Sequence, residues 1–225
     1  MSEYVVEIHN VCKWYYTEKP RTLKKWASQL FNPFERRIIF KDYSLNVKRG
    51  EILFIGGLNG SGKTTLLKLI SRIIFPDSGS IKIIGNIVPL IELGSGFNFE
   101  LSGLENIITN CAIFGLNQKQ TQNVIPQILA FSELQSFIQV PVKRYSTGMM
   151  ARLAFSIGIH SNPDILLLDE MFAVGDSQFR KKAENVIEYL HKQKKTIIIT
   201  GHYENMVKKT RSITLTGSFR DNITT

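Results

Sequence analysis

Cysteine is scarce: Cys12 and Cys111 are the two in 225 residues, far apart and without metal-ligand spacing. This excludes a disulfide framework and a thiolate metal knuckle, and both are expected to be buried free thiols in a reducing compartment. No apolar stretch approaches the roughly 18 residues needed to span a bilayer. The N-terminus carries no signal-peptide pattern, so the expectation is a soluble or peripheral protein of the cytosol. Internal repeats and low-complexity tracts are also missing. Acidic residues are in deficit, 19 against 28 basic ones, for a formal charge of +9. Such a balance points to an acidic partner, and nucleic acid, an anionic membrane face and a nucleotide all qualify. What is present is ample apolar material: 43% of residues are hydrophobic, enough for one large core or a large lobe plus a small one.

The most informative stretch is Gly57-Leu58-Asn59-Gly60-Ser61-Gly62-Lys63-Thr64, after the apolar run Ile52 to Ile55 and before an apolar helical pattern. Every fixed position of the phosphate-binding loop is filled: Gly57, Gly62, Lys63 and the hydroxyl of Thr64. Glycines let main-chain N–H groups turn inward around phosphate oxygens because no Cβ blocks the approach. The helix beginning near Lys63 adds its positive dipole end, Lys63 reaches the β and γ phosphates, and Thr64 offers its hydroxyl to Mg²⁺. Asn59, Gly60, Ser61 and Thr65 count with the loop as nucleotide contacts. The motif implies a nucleoside triphosphate ligand.

Around the loop the pattern is that of alternating strands and helices. Residues 4–11 alternate as a strand, with Tyr4, Val6 and Ile8 on one face, and the strand pattern resumes at 43–47 after a charged interruption. Strand 51–55 feeds the loop, and the helix spans 63–74 up to the turn at Pro76-Asp77-Ser78-Gly79. Short strands follow at 80–84 and 87–90. From Ser102 to about Ser161 the texture is helical, broken into segments by Pro126 and Pro141. Ile165 to Leu168 and Thr196 to Thr200 read as buried parallel strands, with a helix over 179–192 between them and a late strand at 212–215. The expected fold is α/β: a single P-loop domain over 1–225 with a mixed sheet, a parallel core, and a helical subdomain inserted at about 98–161. The strand 165–168 ends in Asp169-Glu170, two carboxylates at the sheet edge where ligands of such sheets bind. One can hold Mg²⁺ through water and the next can polarise an attacking water as general base.

At Tyr145-Ser146-Thr147-Gly148-Met149, followed by Arg152-Leu153-Ala154-Phe155, the chain resembles the signature loop of ATP-binding-cassette (ABC) ATPases. Relative to the family's Leu-Ser-Gly-Gly-Gln string, Ser146 and Gly148 are kept while Tyr145, Thr147 and Met149 differ. That form is similar to one branch, the ATPase subunits of bacterial exporters of O-antigen, capsule or teichoic acid. Glu92 to Phe97, Leu101-Ser102-Gly103 with Glu105-Asn106, and Ala173-Val174-Gly175-Asp176 agree with it, so the resemblance covers nearly the whole chain.

The resemblance implies ATP and Mg²⁺ as cofactors, with Thr64 and Asp169 at the metal. It implies a homodimer in which Ser146 and Gly148 of one subunit close on the γ phosphate held by the other, so that two cassettes sandwich two ATP molecules. Glu170 is then the general base and His202, directly after the strand 196–200, the γ-phosphate switch. Asp176 falls where the family communicates across the dimer, although a plain turn residue also fits. An aromatic after the first strand stacks on adenine; Tyr15 fits the spacing best, with Trp14 and Tyr16 beside it as alternatives or simple core.

Two departures stand out. The family's Gln between the loop and the helical region is missing, since no Gln occurs between Ile81 and Glu105. Glu92 is the nearest polar substitute, as a ligand through water or as a solvated loop residue. The segment of about 17–37 exceeds a plain cassette, with Leu23, Trp26, Ala27, Leu30 and Phe31 on one helical face beside Arg21, Lys24 and Lys25. It fits contact with the membrane surface or the membrane subunit, and equally packing on its own domain. The resulting expectation is an ATP-hydrolysing subunit on the cytoplasmic face of the inner or plasma membrane, peripheral, working with a polytopic permease supplied by a separate chain. Nucleic acid is not expected as a partner. The residues after Ile213 are too few for a carbohydrate-binding domain, so the chain is not expected to read the glycan. The alternative is a soluble ABC ATPase acting on DNA or the ribosome.

Overall fold

The computed structural model describes residues 3–16, 36–92, 94, 96–169, 177–201, 211–216 and 219–220. In chain order the elements are β1 (Tyr4–Tyr16), β2 (Arg36–Lys48), β3 (Ile52–Gly57), α1 (Lys63–Ile70), β4 (Ser78–Ile83) and β5 (Ile87–Leu90). Then come α2 (Gly103–Ile113), α3 (Gln118–Ser132), α4 (Thr147–His160), β6 (Ile165–Leu168), α5 (Ser177–Lys192), β7 (Thr196–Thr200), β8 (Arg211–Leu215) and β9 (Phe219–Arg220). The strands form two sheets: an antiparallel one in the order β4-β1-β2-β9 and a parallel one in the order β5-β6-β7-β3-β8.

The parallel sheet explains why its inner strands β3, β6 and β7 are dominated by apolar residues. Leu53, Ile55, Ile165, Leu167 and Ile198 point to one face, where they meet α1 and the antiparallel sheet. Ile52, Phe54, Leu166, Leu168, Ile197 and Ile199 point to the other, against Phe155 and Ile159 of α4 and Phe179, Ile187 and Leu190 of α5. Both faces of β3, β6 and β7 are covered, so a polar side chain there needs an internal partner, as Thr196 and Thr200 have. The helix α1 lies between the sheets and buries Leu66, Leu67, Leu69 and Ile70. Each such side chain contributes about 1.5–3 kcal/mol by leaving water.

A third core lies among the helices, built on Ile107, Cys111, Ile128, Val142, Tyr145, Leu153 and Ile157. Helix α4 belongs to two cores at once, with Leu153 and Ile157 facing the helices and Phe155 and Ile159 facing the sheet. Caps fix where the helices begin. Ser102 and Glu105 form a reciprocal capping box at α2, as do Asn117 and Gln120 at α3.

Several boundaries differ from the sequence expectation. Strand β1 runs on to Tyr16, so Trp14, Tyr15 and Tyr16 lie in the sheet and not after it. Strand β2 begins at Arg36, which removes Arg36 and Arg37 from the expected 17–37 insertion; residues 17–35 lie outside those described. Helix α1 ends at Ile70 instead of Ile74, because Arg72 takes a left-handed conformation (φ 60) that closes the helix. Pro126 does not break the helical region: it sits inside α3. The ring removes the hydrogen bond to the Gln122 carbonyl, but both residues are exposed, so water can satisfy that carbonyl and the buried Thr121 and Ile128 hold the helix. Cys111 is buried as expected, and burial pushes its thiol up to about 11. Cys12 is only half-buried, its Sγ accepting from the Asp42 N–H at 3.4 Å.

One buried polar side chain ties the entry of the helical region together. Asn106 is fully buried; its Oδ1 accepts from Asn98 N at 2.8 Å and its Nδ2 donates to the carbonyls of Asn98, Leu101 and Ser102. Asn106→Leu keeps the branched heavy-atom skeleton but strands these backbone groups, so unfolding free energy in urea is expected to fall by about 2–4 kcal/mol. A loss below about 0.5 kcal/mol would show that the loop at 98–102 does not depend on Asn106.

Candidate functional site

Strand β3 delivers its last residues, Gly56 and Gly57, to the carboxyl edge of the parallel sheet, and the chain turns there into α1. The turn tolerates no side chain at its ends. A Cβ on Gly57 (φ 138) would come within 2.6 Å of both Leu215 O and Ser61 Oγ, and one on Gly62 (φ 103) within 2.8 Å of Ile39 Cγ2. The loop is thus pressed between β8 on one side and β2 on the other. Lys63 is buried despite its charge, and its Nζ donates to Gly57 O at 2.8 Å and Leu58 O at 3.3 Å. A loop wrapped around a buried ammonium, with the N-terminus of α1 at its exit, is an anion cradle.

The second half of the site comes from β6. Asp169, 4% exposed, accepts from Thr64 Oγ1 at 3.0 Å on Oδ2 and from Thr200 Oγ1 on Oδ1. Strand order accounts for this meeting: β7 lies between β6 and β3, so Thr200 at the end of β7 bridges the gap between the β6 carboxylate and the loop.

The residues present fit a nucleoside polyphosphate with a divalent cation. Ser61 is 3% exposed and its Oγ has no hydrogen-bond partner among the described residues. A buried hydroxyl left so costs about 1–3 kcal/mol, which a phosphate oxygen would relieve. Among the described residues no group of three His, Cys, Asp or Glu side chains could cage a metal. A hydroxyl and one carboxylate are what Mg²⁺ takes when phosphates and water supply its other positions.

A cleft of about 560 Å³ opens beside the loop, lined by Tyr15, Tyr16, Arg37 and Ile39 from the antiparallel sheet and by Asn59, Gly60, Gly62, Lys63, Thr64 and Thr65. The structure therefore brings Tyr15 to the phosphate loop, and Tyr16 with it; Trp14 instead stacks on Arg36 at 5.2 Å. Ser146 and Gly148 do not line this cleft. Ser146 is exposed at the start of α4, where its Oγ accepts from Met149 N at 3.2 Å, and a Cβ on Gly148 would touch only Ser146 Oγ within 4 Å. Tyr145, which stands where the family has Leu, is buried and donates its hydroxyl to Phe137 O at 2.8 Å, anchoring that loop to the helical core. Glu92 also stays out of the cleft and pairs with Lys68 at 2.6 Å. Glu170, Asp176 and His202 lie outside the described residues. Sequence reasoning held Tyr16 only as an alternative to Tyr15 and missed Arg37, Ile39 and Thr200; extending the apolar pattern back from Ile39-Phe40 would have drawn Arg37 into the strand.

The family described as ABC transporter matches residues 40–173, a stretch that takes in the phosphate loop, the Ser146 loop and Asp169. The chain belongs to the ABC transporter family. Its curated relatives include the O-antigen export system ATP-binding protein RfbB of Myxococcus xanthus, 44% identical over 196 residues, 86% of this chain and 45% of that protein. Another is the teichoic acids export ATP-binding protein TagH of Lactiplantibacillus plantarum, 41% identical over 203 residues, 89% of this chain and 56% of that protein. The chain spans about half the length of these two relatives. Among solved structures, a dimeric ATP-binding cassette in a post-hydrolysis state with ADP and Pi shares the fold of this ABC family member. Its TM-score is 0.76 at 21% identity, covering 96% of this chain and 98% of that one.

The orphaned hydroxyl makes a contrast that stability measurements can read. Ser61→Ala removes a buried group with no partner, so the unfolding free energy of the nucleotide-free protein is expected to stay within about 0.5 kcal/mol or to rise. Thr200→Val strips Asp169 of a donor and should cost about 1–3 kcal/mol. Equal losses for the two variants would contradict this description of the loop.

Proposed function

We propose that this chain is the ATP-hydrolysing nucleotide-binding subunit of an exporter that moves a polysaccharide or glycolipid across the cytoplasmic membrane. The observation that carries the reading is the Thr64–Asp169 contact, which joins the phosphate loop to the carboxylate strand at the mouth of the cleft. The printed names of the relatives, ATP-binding proteins of O-antigen and teichoic acid export, support the choice of cargo class.

In this reading Gly57, Asn59, Gly60 and Gly62 present N–H groups to the phosphates and Ser61 its hydroxyl, since the Ser61 N–H donates to Leu58 O, with Lys63 as the buried countercharge and Thr65 at the start of α1. Tyr15 offers a flat face to the adenine. Thr64 and Asp169 hold Mg²⁺, which when bound neutralises charge on the β and γ phosphates. Glu170, one residue beyond the buried Asp169, takes the proton of the attacking water, and His202, just past the end of β7, meets the γ phosphate.

One chain supplies only half of this arrangement. Ser146 stands exposed and Gly148 half-buried at the start of α4, away from the cleft, which suits closure on the phosphates of a second copy through a two-fold interface. A cassette of the same fold solved as a dimer with ADP and Pi supports that assembly. The permease is assigned to a separate polytopic chain; no helix among the described residues is long and apolar enough to cross a membrane. The amphipathic segment within about 17–37 is assigned to contact with the permease or the lipid surface. The cassette then sits peripherally on the cytoplasmic face.

Replacing Glu170 by Gln keeps shape and removes the base. Binding of ATP, followed by titration calorimetry, is expected to stay within about twofold, while steady-state phosphate release falls at least about 100-fold. Hydrolysis at the parent rate in the assembled transporter would remove Glu170 from the mechanism.

A further inference from the structure

Arg37 has no role in the site as assigned above, yet its position is set by the sheet. In the β1–β2 ladder Arg37 stands directly opposite Tyr15, so the two side chains share a face, and both line the cleft. The neighbouring Arg36 stacks elsewhere, its guanidinium 5.2 Å from the Trp14 ring and 5.4 Å from the Tyr16 ring. Arg37 Nη2 instead donates to Gly60 O in the phosphate loop at 3.1 Å. Gly60 has a φ of 78, and a Cβ there would find one neighbour within 4 Å, Arg37 Nη2 at 3.2 Å. The guanidinium therefore lies on the loop itself, in the same cleft as Lys63.

We propose that Arg37 is a nucleotide-binding residue of this chain, contacting the polyphosphate as a second cation beside Lys63. The inference rests on the nucleotide reading given above and adds a residue to it. A guanidinium presents five donors in a rigid fork matched to phosphate oxygens, and the bond to Gly60 O places that fork at the phosphate end of the cleft. Its strand position, cross-paired with Tyr15, gives it a fixed approach that a loop lysine would lack. The charge-assisted contact strengthens binding of any polyphosphate, and salt weakens it.

The test compares Mg²⁺-ATP and Mg²⁺-tripolyphosphate as ligands of the full chain, by titration calorimetry at low and moderate salt, for Arg37→Ala, Arg37→Gln, Arg37→Lys and Lys63→Ala. Arg37→Ala and Arg37→Gln are expected to weaken both ligands by about tenfold and to flatten the salt dependence, with Arg37→Lys recovering part of the loss. Unchanged affinity for both ligands in both neutral variants, while Lys63→Ala loses binding, overturns the role of Arg37 and leaves the nucleotide site standing. Weaker ATP with unchanged tripolyphosphate also overturns it, because Arg37 would then act through Tyr15 and the base. No loss in any variant, Lys63→Ala included, sinks the nucleotide reading on which the inference depends.

Discussion

The Asp169 carboxylate sits at the end of β6 where three elements must meet: its own strand, β7 through Thr200, and the start of α1 through Thr64. A carboxylate 4% exposed is stable only if donors surround it, so the three elements are held in register by the need to satisfy it. That need sets the distance between the phosphate loop and the carboxylate edge of the sheet. The rest of the site depends on that distance, since a loop shifted by one strand spacing would leave Thr64 unable to reach the Asp169 carboxylate.

The packing around this point is built to keep it still. Helix α1, which opens with Lys63 and Thr64, is wedged between two sheets by Leu66, Leu67, Leu69 and Ile70. Gly62 is pinned against Ile39, so the antiparallel sheet contributes to loop geometry as well as to burial. The Ser146 loop hangs on a different frame. It opens α4, whose Phe155 and Ile159 pack on the sheet and whose Leu153 and Ile157 pack on the helices. Because α4 packs into both cores, its position is constrained by the sheet and by the helices together.

Much of this was legible in the residues. Ile165 to Leu168 reads as a buried parallel strand because both faces are covered and no alternation is needed, and the phosphate loop is read from spacing alone. The misreadings have physical causes. Pro126 looked like a helix stop, but a missing N–H on a solvent-facing turn leaves a carbonyl that water can satisfy. The left-handed Arg72 that ends α1 leaves no mark in composition. Spacing ranks Tyr15 ahead of Trp14 and Tyr16, but which of the three line the cleft depends on which faces of β1 meet the loop. Arg37 was hidden by its company: at the end of a basic amphipathic stretch it looked like surface charge, and only the β1–β2 register sets it opposite Tyr15. Thr200 is a hydroxyl in an apolar strand whose purpose appears only once β6 is its neighbour.

In the proposed assembly each chain carries half of two sites, with Lys63 and Asp169 on one copy and Ser146 on the other. Light scattering on the hydrolysis-deficient Glu170→Gln protein, with and without Mg²⁺-ATP, reads this most directly. A mass that doubles on adding nucleotide, and stays that of one chain when Ser146 is replaced by Arg, is the predicted result. Saturating ATP binding by a chain whose mass never changes, with its membrane partner present or absent, would contradict it.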